Sequence, residues 1–168
     1  MIKFKTIEFK NFLSTGNTPI IIHLNKENTT LISGENGSGK STMLDALTFG
    51  LFGKAFRNIK KDQLVNSVNE RDCRVEVKFN IGRIRYHIIR GIKPNRFEIY
   101  KNDKMINQDA SVRDYQKHLE SNILKLNYRS FTQVVILGSS SFVPFMQLTP
   151  AHRREVVEEI LDIKIFSL

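Results

Sequence analysis

At 168 residues and 40% hydrophobic content, the chain is long enough for one compact domain around a single core. Its apolar runs, such as 19–22 and 134–137, are far too short to span a bilayer, and residues 1–10 hold no apolar block followed by small residues; the lone Cys73 can form neither an internal disulfide nor a metal cluster, so a soluble protein of the reducing cytoplasm is expected. Twenty-six Lys and Arg against seventeen Asp and Glu leave a charge of +9, which attracts polyanions, chiefly nucleic acid, and which equally describes a solvated basic surface.

In chain order, Ile2, Phe4 and Thr6 alternate with Lys3, Lys5 and Ile7, which predicts a strand. A turn over 11–19 leads to residues 20–24 as the second strand of a hairpin. Residues 29–33 read as a short buried strand running into a glycine-rich loop. From Lys40 to about Phe52 the sequence is apolar nearly all round, the pattern of a buried helix, and Gly53 can end it. From Arg74 the period becomes two: Val75, Val77, Phe79 and Ile81, a break at Gly82, then Ile84, Tyr86 and Ile88 predict an antiparallel pair. A third strand over 96–100 follows the turn at 91–95, and 101–104 turns again. Ser111 with Asp114 resembles a capping box opening a helix over 111–125, with Val112, Tyr115, Leu119, Ile123 and Leu126 at helical spacing. Thr149 as N-cap and Pro150 at the first helical position open a last helix, where Val156, Val157, Ile160 and Leu161 form an apolar face. That helix reaches residue 168 without a stop signal. The expected class is mixed α/β with an antiparallel β-subdomain, in one domain without repeats or linkers.

Gly34, Gly39, Lys40 and Ser41 satisfy the spacing G-x-x-x-x-G-K-[ST], between an expected strand and an expected helix. Gly34, Gly37 and Gly39 let the backbone curl and aim N–H groups at phosphate oxygens, and the helix adds its positive end. Lys40 is expected to reach the β and γ phosphates of ATP, Ser41 to ligate Mg²⁺, and Thr42 to add a phosphate hydrogen bond. The competing reading is a chance glycine turn. Asp45, one turn along the helix, is read as favoured near the helix N-terminus rather than as catalytic.

Phosphoryl transfer also needs a carboxylate for Mg²⁺ and a group that orients the attacking water. A four-residue apolar run ending in paired acids would supply them, but 134–140 ends in glycine and serine and 158–162 lies on the last helix. The cradle is legible here and its catalytic partners are not.

Residues 33–54, 55–66 and 128–161 together resemble the N-terminal head segment of the SbcC-type ATPases, the SMC-related coiled-coil partners of the double-strand-break repair nuclease. The resemblance spans essentially the whole chain. It implies an ABC-type ATPase head split in sequence, its signature and Walker B motifs lying in a C-terminal lobe beyond a long coiled coil. Residues 1–148 would then be the N-terminal lobe and 149–168 the root of the outgoing coiled coil. Two such heads would sandwich ATP as a homodimer, and the 168 residues alone would be inactive. The resemblance further implies nucleotide contacts from Lys10, Asn36 and Ser38, and from Arg57, for which a solvated loop arginine is the other reading. Where relatives carry a Q-loop glutamine that meets Mg²⁺ and water, this chain has Ser139, of shorter reach; Gln133, six residues upstream, is not promoted to that role. Double-stranded DNA would be bound through phosphates, with Lys60, Lys61, Arg83 and Arg85 as candidates beside Arg90, Lys93 and Arg96. An ordinary solvent face predicts the same arginine pattern.

Three functions compete. The first is an ATP-driven DNA-repair clamp that controls a nuclease subunit, in a bacterial or phage-infected cell. The second is an SMC-like structural clamp with ATP as a closure switch and no nuclease. The third, half of a membrane transporter, is least favoured, because its signature and Walker B would lie within one continuous domain.

Overall fold

The computed structural model describes residues 1–106, 111–136 and 145–161. The chain divides into two compact units, 1–109 and 110–168, and the boundary expected at 149 falls inside the second.

The first unit is a six-stranded sheet with one long helix. Its strands are β1 (Ile2–Lys10), β2 (Ile20–His23), β3 (Cys73–Ile81), β4 (Ile84–Ile92), β5 (Arg96–Lys101) and β6 (Lys104–Met105), in the order β2-β1-β3-β4-β5-β6. Every pairing is antiparallel. The hairpins have local causes. Gly82, at φ +58°, turns β3 into β4, and Asn102 and Asp103, both at positive φ, close the two-residue turn from β5 to β6. In β1 the apolar residues change phase, Ile2 and Phe4 then Ile7 and Phe9. A bulge between Phe4 and Thr6 absorbs the extra residue, so Phe4 pairs with Phe79 and Ile7 with Val77 on one face.

Helix α1 (Lys40–Phe52) packs on that face and ends at Gly53, φ +72°, whose N–H donates to the Phe49 carbonyl at 2.8 Å. Ile7, Val75, Val77, Phe49 and Leu51 are fully buried, each stabilising the fold by roughly 1.5–3 kcal/mol relative to exposure. Gly50 permits the close approach: a Cβ there would come within 2.5 Å of Val77 Cγ2. The helix carries no basic residue in its last turn. Arg90 of β4 supplies one from outside, its Nε donating to the Gly50 carbonyl at 3.1 Å and Nη2 to that of Leu51 at 3.3 Å, while the guanidinium sits 3.7 Å from the Phe97 ring centre. Arg90 is therefore a buried helix cap, and its expected place on a DNA-facing surface is corrected: strand parity puts it on the side of Tyr86 and Ile88.

The other face of the sheet holds a chain of ion pairs. Glu76 accepts from His87 Nε2 at 2.7 Å and from Arg74 Nε at 3.1 Å, and Glu98 accepts from Arg96 and from the Tyr100 hydroxyl. The bond from His87, reinforced by Arg74, holds the Glu76 carboxyl below the ordinary carboxylate range. Cys73 is buried at the start of β3, where desolvation and the neighbouring Asp72 charge push its thiol up to about 12.

The strand expected at 29–33 does not form. Leu31 is 91% exposed and Ile32 45%, because no strand among the described residues pairs with this segment and a lone strand leaves its backbone groups unmatched.

In the second unit α2 (Val112–His118) widens into a π-helical turn at Leu119–Leu124, together covering the helix expected over 111–125. Ser111 caps it, accepting from the Asp114 N–H at 3.3 Å. Asn127 caps α3 (Tyr128–Val134), and Thr149 caps α4 (Pro150–Ile160) by accepting from the His152 N–H at 3.4 Å. Glu155 of α4 accepts from Arg129 at 2.9 Å and from Asn127 at 3.1 Å, tying α3 to α4. The expected apolar face of α4 is only partly covered. Val156 is buried, whereas Val157 and Leu161 remain 39% and 59% exposed.

Among the described residues no helix is long and apolar enough to cross a membrane.

Candidate functional site

Residues 34–39 form a loop whose shape glycine dictates: Gly37 and Gly39 stand at φ +86° and +93°, and Gly39 is the N-cap of α1. No side chain caps that helix end. Its first N–H groups have no intrahelical acceptor, so the helix start offers donors and positive potential together. Lys40 lies back along the loop, its Nζ donating to the carbonyls of Gly34 and Glu35 at 2.7 Å each.

In front of this helix end is a cavity of about 410 Å³. Asn36, Gly37, Gly39, Lys40, Ser41 and Thr42 line it together with Leu13, Ser14, Arg57 and Ile59. Lys40 and Arg57 bring two cations, and no carboxylate lines the cavity. A second, larger cavity of about 840 Å³ shares Lys40 and Thr42 and is walled by Gly34, Ser38 and the apolar Phe9, Ile20, Ile22, Ile32 and Met43.

Two neighbouring segments complete the first cavity. The turn after β1 is pinned by the Leu13 N–H donating to the Leu64 carbonyl at 2.7 Å, and by Asn66 Nδ2 donating to the Leu13 carbonyl at 2.9 Å. This brings Leu13 and Ser14 to the rim, a contribution the sequence reading missed because it depends on a pairing more than fifty residues away. Arg57 is held by Asp45: its N–H donates to Oδ1 at 2.9 Å and its Nε to Oδ2 at 2.7 Å. Asp45 is fully buried, so its place is set by Arg57 and not only by the helix end.

Most of the expected nucleotide residues thus converge: Asn36, Gly37, Gly39, Lys40, Ser41, Thr42 and Arg57 on the first cavity, Gly34 and Ser38 on the second. Lys10 lines neither; its ammonium is paired with Asp72. Among the basic candidates, Lys60, Arg83 and Lys93 are exposed, Lys61 donates to Asn95 at 3.0 Å, and Arg85 pairs with Asp103 at 2.6 Å. Arg96 is matched by Glu98, whose carboxyl is held low chiefly by that bond. Ser139 lies outside the described residues.

The donor set fits a triphosphate with its cation. The loop curls without side chains at the closest approach, the helix end presents N–H groups, and Ser41 is the hydroxyl a divalent ion takes beside phosphate oxygens. Among the described residues no three His, Cys, Asp or Glu side chains gather as metal ligands.

Comparison with known proteins is consistent with this site. Residues 6–165 match the model of a family described as an AAA domain. The chain is 45% identical over 161 residues to exonuclease subunit 2 of Enterobacteria phage T4, covering 96% of this chain and 29% of that protein. It is 30% identical over 169 residues to the DNA double-strand break repair Rad50 ATPase of Methanococcus maripaludis, covering 97% of this chain and 16% of the relative. The chain therefore spans less than a third of the length of these relatives. Among solved structures it is similar to the Smc head domain with an extended coiled coil bound to the C-terminal domain of ScpA, from Pyrococcus furiosus, with a TM-score of 0.70 and 25% identity over 99% of this chain and 44% of that one.

Proposed function

Because this chain belongs to the AAA-domain family, as the N-terminal head segment of an SbcC-type, SMC-related ATPase, we propose that its smaller cavity holds the triphosphate of ATP and that the intact protein hydrolyses it to drive a DNA-repair clamp. The observation that carries the reading is the carboxylate-free cavity at the N-terminus of α1, where Lys40, Ser41 and Arg57 meet.

In this proposal the N–H groups around Gly37 and Gly39 cradle the phosphates, and Thr42 adds a hydroxyl. Lys40 leaves the Gly34 and Glu35 carbonyls for the β and γ phosphates, exchanging two neutral acceptors for charged ones. Ser41 would hold Mg²⁺, which would supply neutralisation of the phosphate charge. Asn36 and Arg57 flank the phosphates, and Leu13 with Ile59 provides apolar wall. The cradle positions and polarises; it supplies no base for water.

The missing base, and a carboxylate that would join Ser41 on Mg²⁺, belong to a C-terminal lobe on the remaining length of the protein, facing a second head in an ATP-dependent homodimer. Ser139, where relatives carry the Q-loop glutamine in sequence, would serve a bound Mg²⁺ through water. Residues 149–168 begin the coiled coil. Duplex DNA lies on phosphate contacts from Lys60, Lys61, Arg83 and Arg85, and a nuclease subunit is the regulated partner. The name of the phage relative, an exonuclease subunit, supports this last step. The likeness to Smc heads supports a second reading, a clamp that closes on ATP without a nuclease.

The test is ATP turnover and size in solution for this chain alone and with a separately supplied C-terminal half, each with Lys40 and with Lys40→Ala. Turnover and dimers only in the mixture, both lost with Lys40→Ala, are expected. Turnover by the 168 residues alone would overturn the split head.

A further inference from the structure

Asp45 is fully buried on α1, where a carboxylate is costly unless it is paired and hydrogen-bonded. Among the described residues the single partner of its carboxylate is Arg57, twelve residues on. Oδ1 accepts the Arg57 backbone N–H at 2.9 Å; Oδ2 accepts Nε–H at 2.7 Å and lies 2.5 Å from Nη2.

A guanidinium has two edges for anions: a side edge made by Nε–H and one N–H of Nη2, and an end edge made by Nη1 and the other N–H of Nη2. Asp45 occupies the side edge. The end edge meets no acceptor among the described residues, and Arg57, its side chain 43% exposed, lines the smaller cavity together with Lys40 and Ser41. The carboxylate that does this sits one turn beyond Ser41 on the same helix. The backbone bond to Oδ1 fixes where the side chain starts, and the two contacts to Oδ2 fix how its plane is turned. The three contacts together orient the group, where one would only neutralise it.

We infer that Asp45 is a positioning residue, which clamps the side edge of Arg57 so that its end edge is presented to a pair of polyphosphate oxygens in the cavity that Lys40 also lines. The inference rests on the nucleotide reading and gives it a second arm. One rigid helix sets both cations of the site, Lys40 directly and Arg57 through Asp45. The arginine is oriented before the phosphate arrives, so less rotamer freedom is lost on binding.

A tether that only anchors residues 53–60 predicts something different: lower stability when Asp45 is changed, with unaltered phosphate affinity in the folded protein. Equilibrium binding of ATP and of tripolyphosphate separates the two, measured on the full-length protein carrying this chain, with Lys40→Ala, Arg57→Ala, Arg57→Lys, Asp45→Asn and the double variant of Asp45→Asn and Arg57→Ala. Arg57→Ala and Asp45→Asn are each expected to weaken both probes about tenfold, and the double variant no more than Arg57→Ala alone. Arg57→Lys, which keeps the charge but not the fork, is expected to behave as Arg57→Ala. Should Asp45→Asn fail to fold, nitrogen NMR of Arg57 in the native protein decides: tripolyphosphate should move the Nη signals and leave Nε–H in place, and a shifted Nε–H would overturn the clamp. Native affinity in Asp45→Asn, or additive losses in the double variant, overturns the clamp and leaves the nucleotide reading standing. A native protein that binds ATP no better than Lys40→Ala overturns both.

Discussion

Helix α1 and the loop before it are adjacent in sequence and opposite in environment. From Asp45 to Phe52 every residue of the helix is buried, whereas 25–38 are exposed throughout. Loop residues 34–39 make few bonds of their own, chiefly Ser38 N–H to the Glu35 carbonyl at 3.2 Å and the two carbonyl contacts of Lys40. The helix is fixed by the sheet beneath it, by Gly50 against Val77 and by Arg90 at its end. The site therefore joins a rigid half that sets direction to a lightly bonded half that supplies donors. Changes where the helix meets the sheet are expected to cost stability, and changes in the loop, at Lys40 and in the Asp45–Arg57 pair to cost binding.

The sharpest way to break that division is Arg90→Met, which strips two carbonyls of their donor and the Phe97 ring of its cation. A loss of about 3 kcal/mol is expected in urea denaturation, although Arg90 touches no part of the cavity. Lys40→Ala should do the reverse. ATP affinity should fall about 100-fold in titration calorimetry, with the unfolding midpoint unmoved. Gly50→Ala should lower stability by about 2 kcal/mol, since its Cβ meets Val77 at 2.5 Å and the sheet must give way; an unchanged midpoint would mean that the helix is not seated as described.

A smaller effect is expected at the outer face of the sheet. The Glu76 carboxyl is held low in the folded chain, so its contribution is present above its unfolded pKa and fades as pH falls through the lower folded value. Stability should thus decline as pH falls below the ordinary carboxylate range, and Glu76→Gln should flatten that decline in urea denaturation followed against pH. The smallest effect belongs to Leu31→Ser, which should change stability by less than about 0.5 kcal/mol in thermal melts, as its side chain already faces solvent.

The sequence made the hairpins and the start and end of α1 legible because each has a local cause: a period of two, a turn residue, a glycine stop. The curl of the glycine loop was legible because Gly37 and Gly39 stand where the backbone needs positive φ. Residues 29–33 were misread because a strand is a property of a pair, and Leu31 and Ile32 find no partner here. Arg90 was misread against its own parity with Tyr86 and Ile88, where charge was allowed to outweigh alternation. Asp45 and Arg57 were each noticed and not joined, since only the fold of the loop between them makes one the holder of the other.

The buried Cys73, with a thiol pushed up to about 12, carries a practical consequence. At neutral pH almost none of it is thiolate, and no solvent reaches it, so alkylating probes should pass it by while the chain is folded. A cysteine placed at the exposed position of Leu31 would then take a fluorophore alone, without removal of the natural thiol. The molecule thus arrives with its own sulfur silenced, ready to carry a single optical reporter beside the glycine loop, where the proposed binding of ATP would be read.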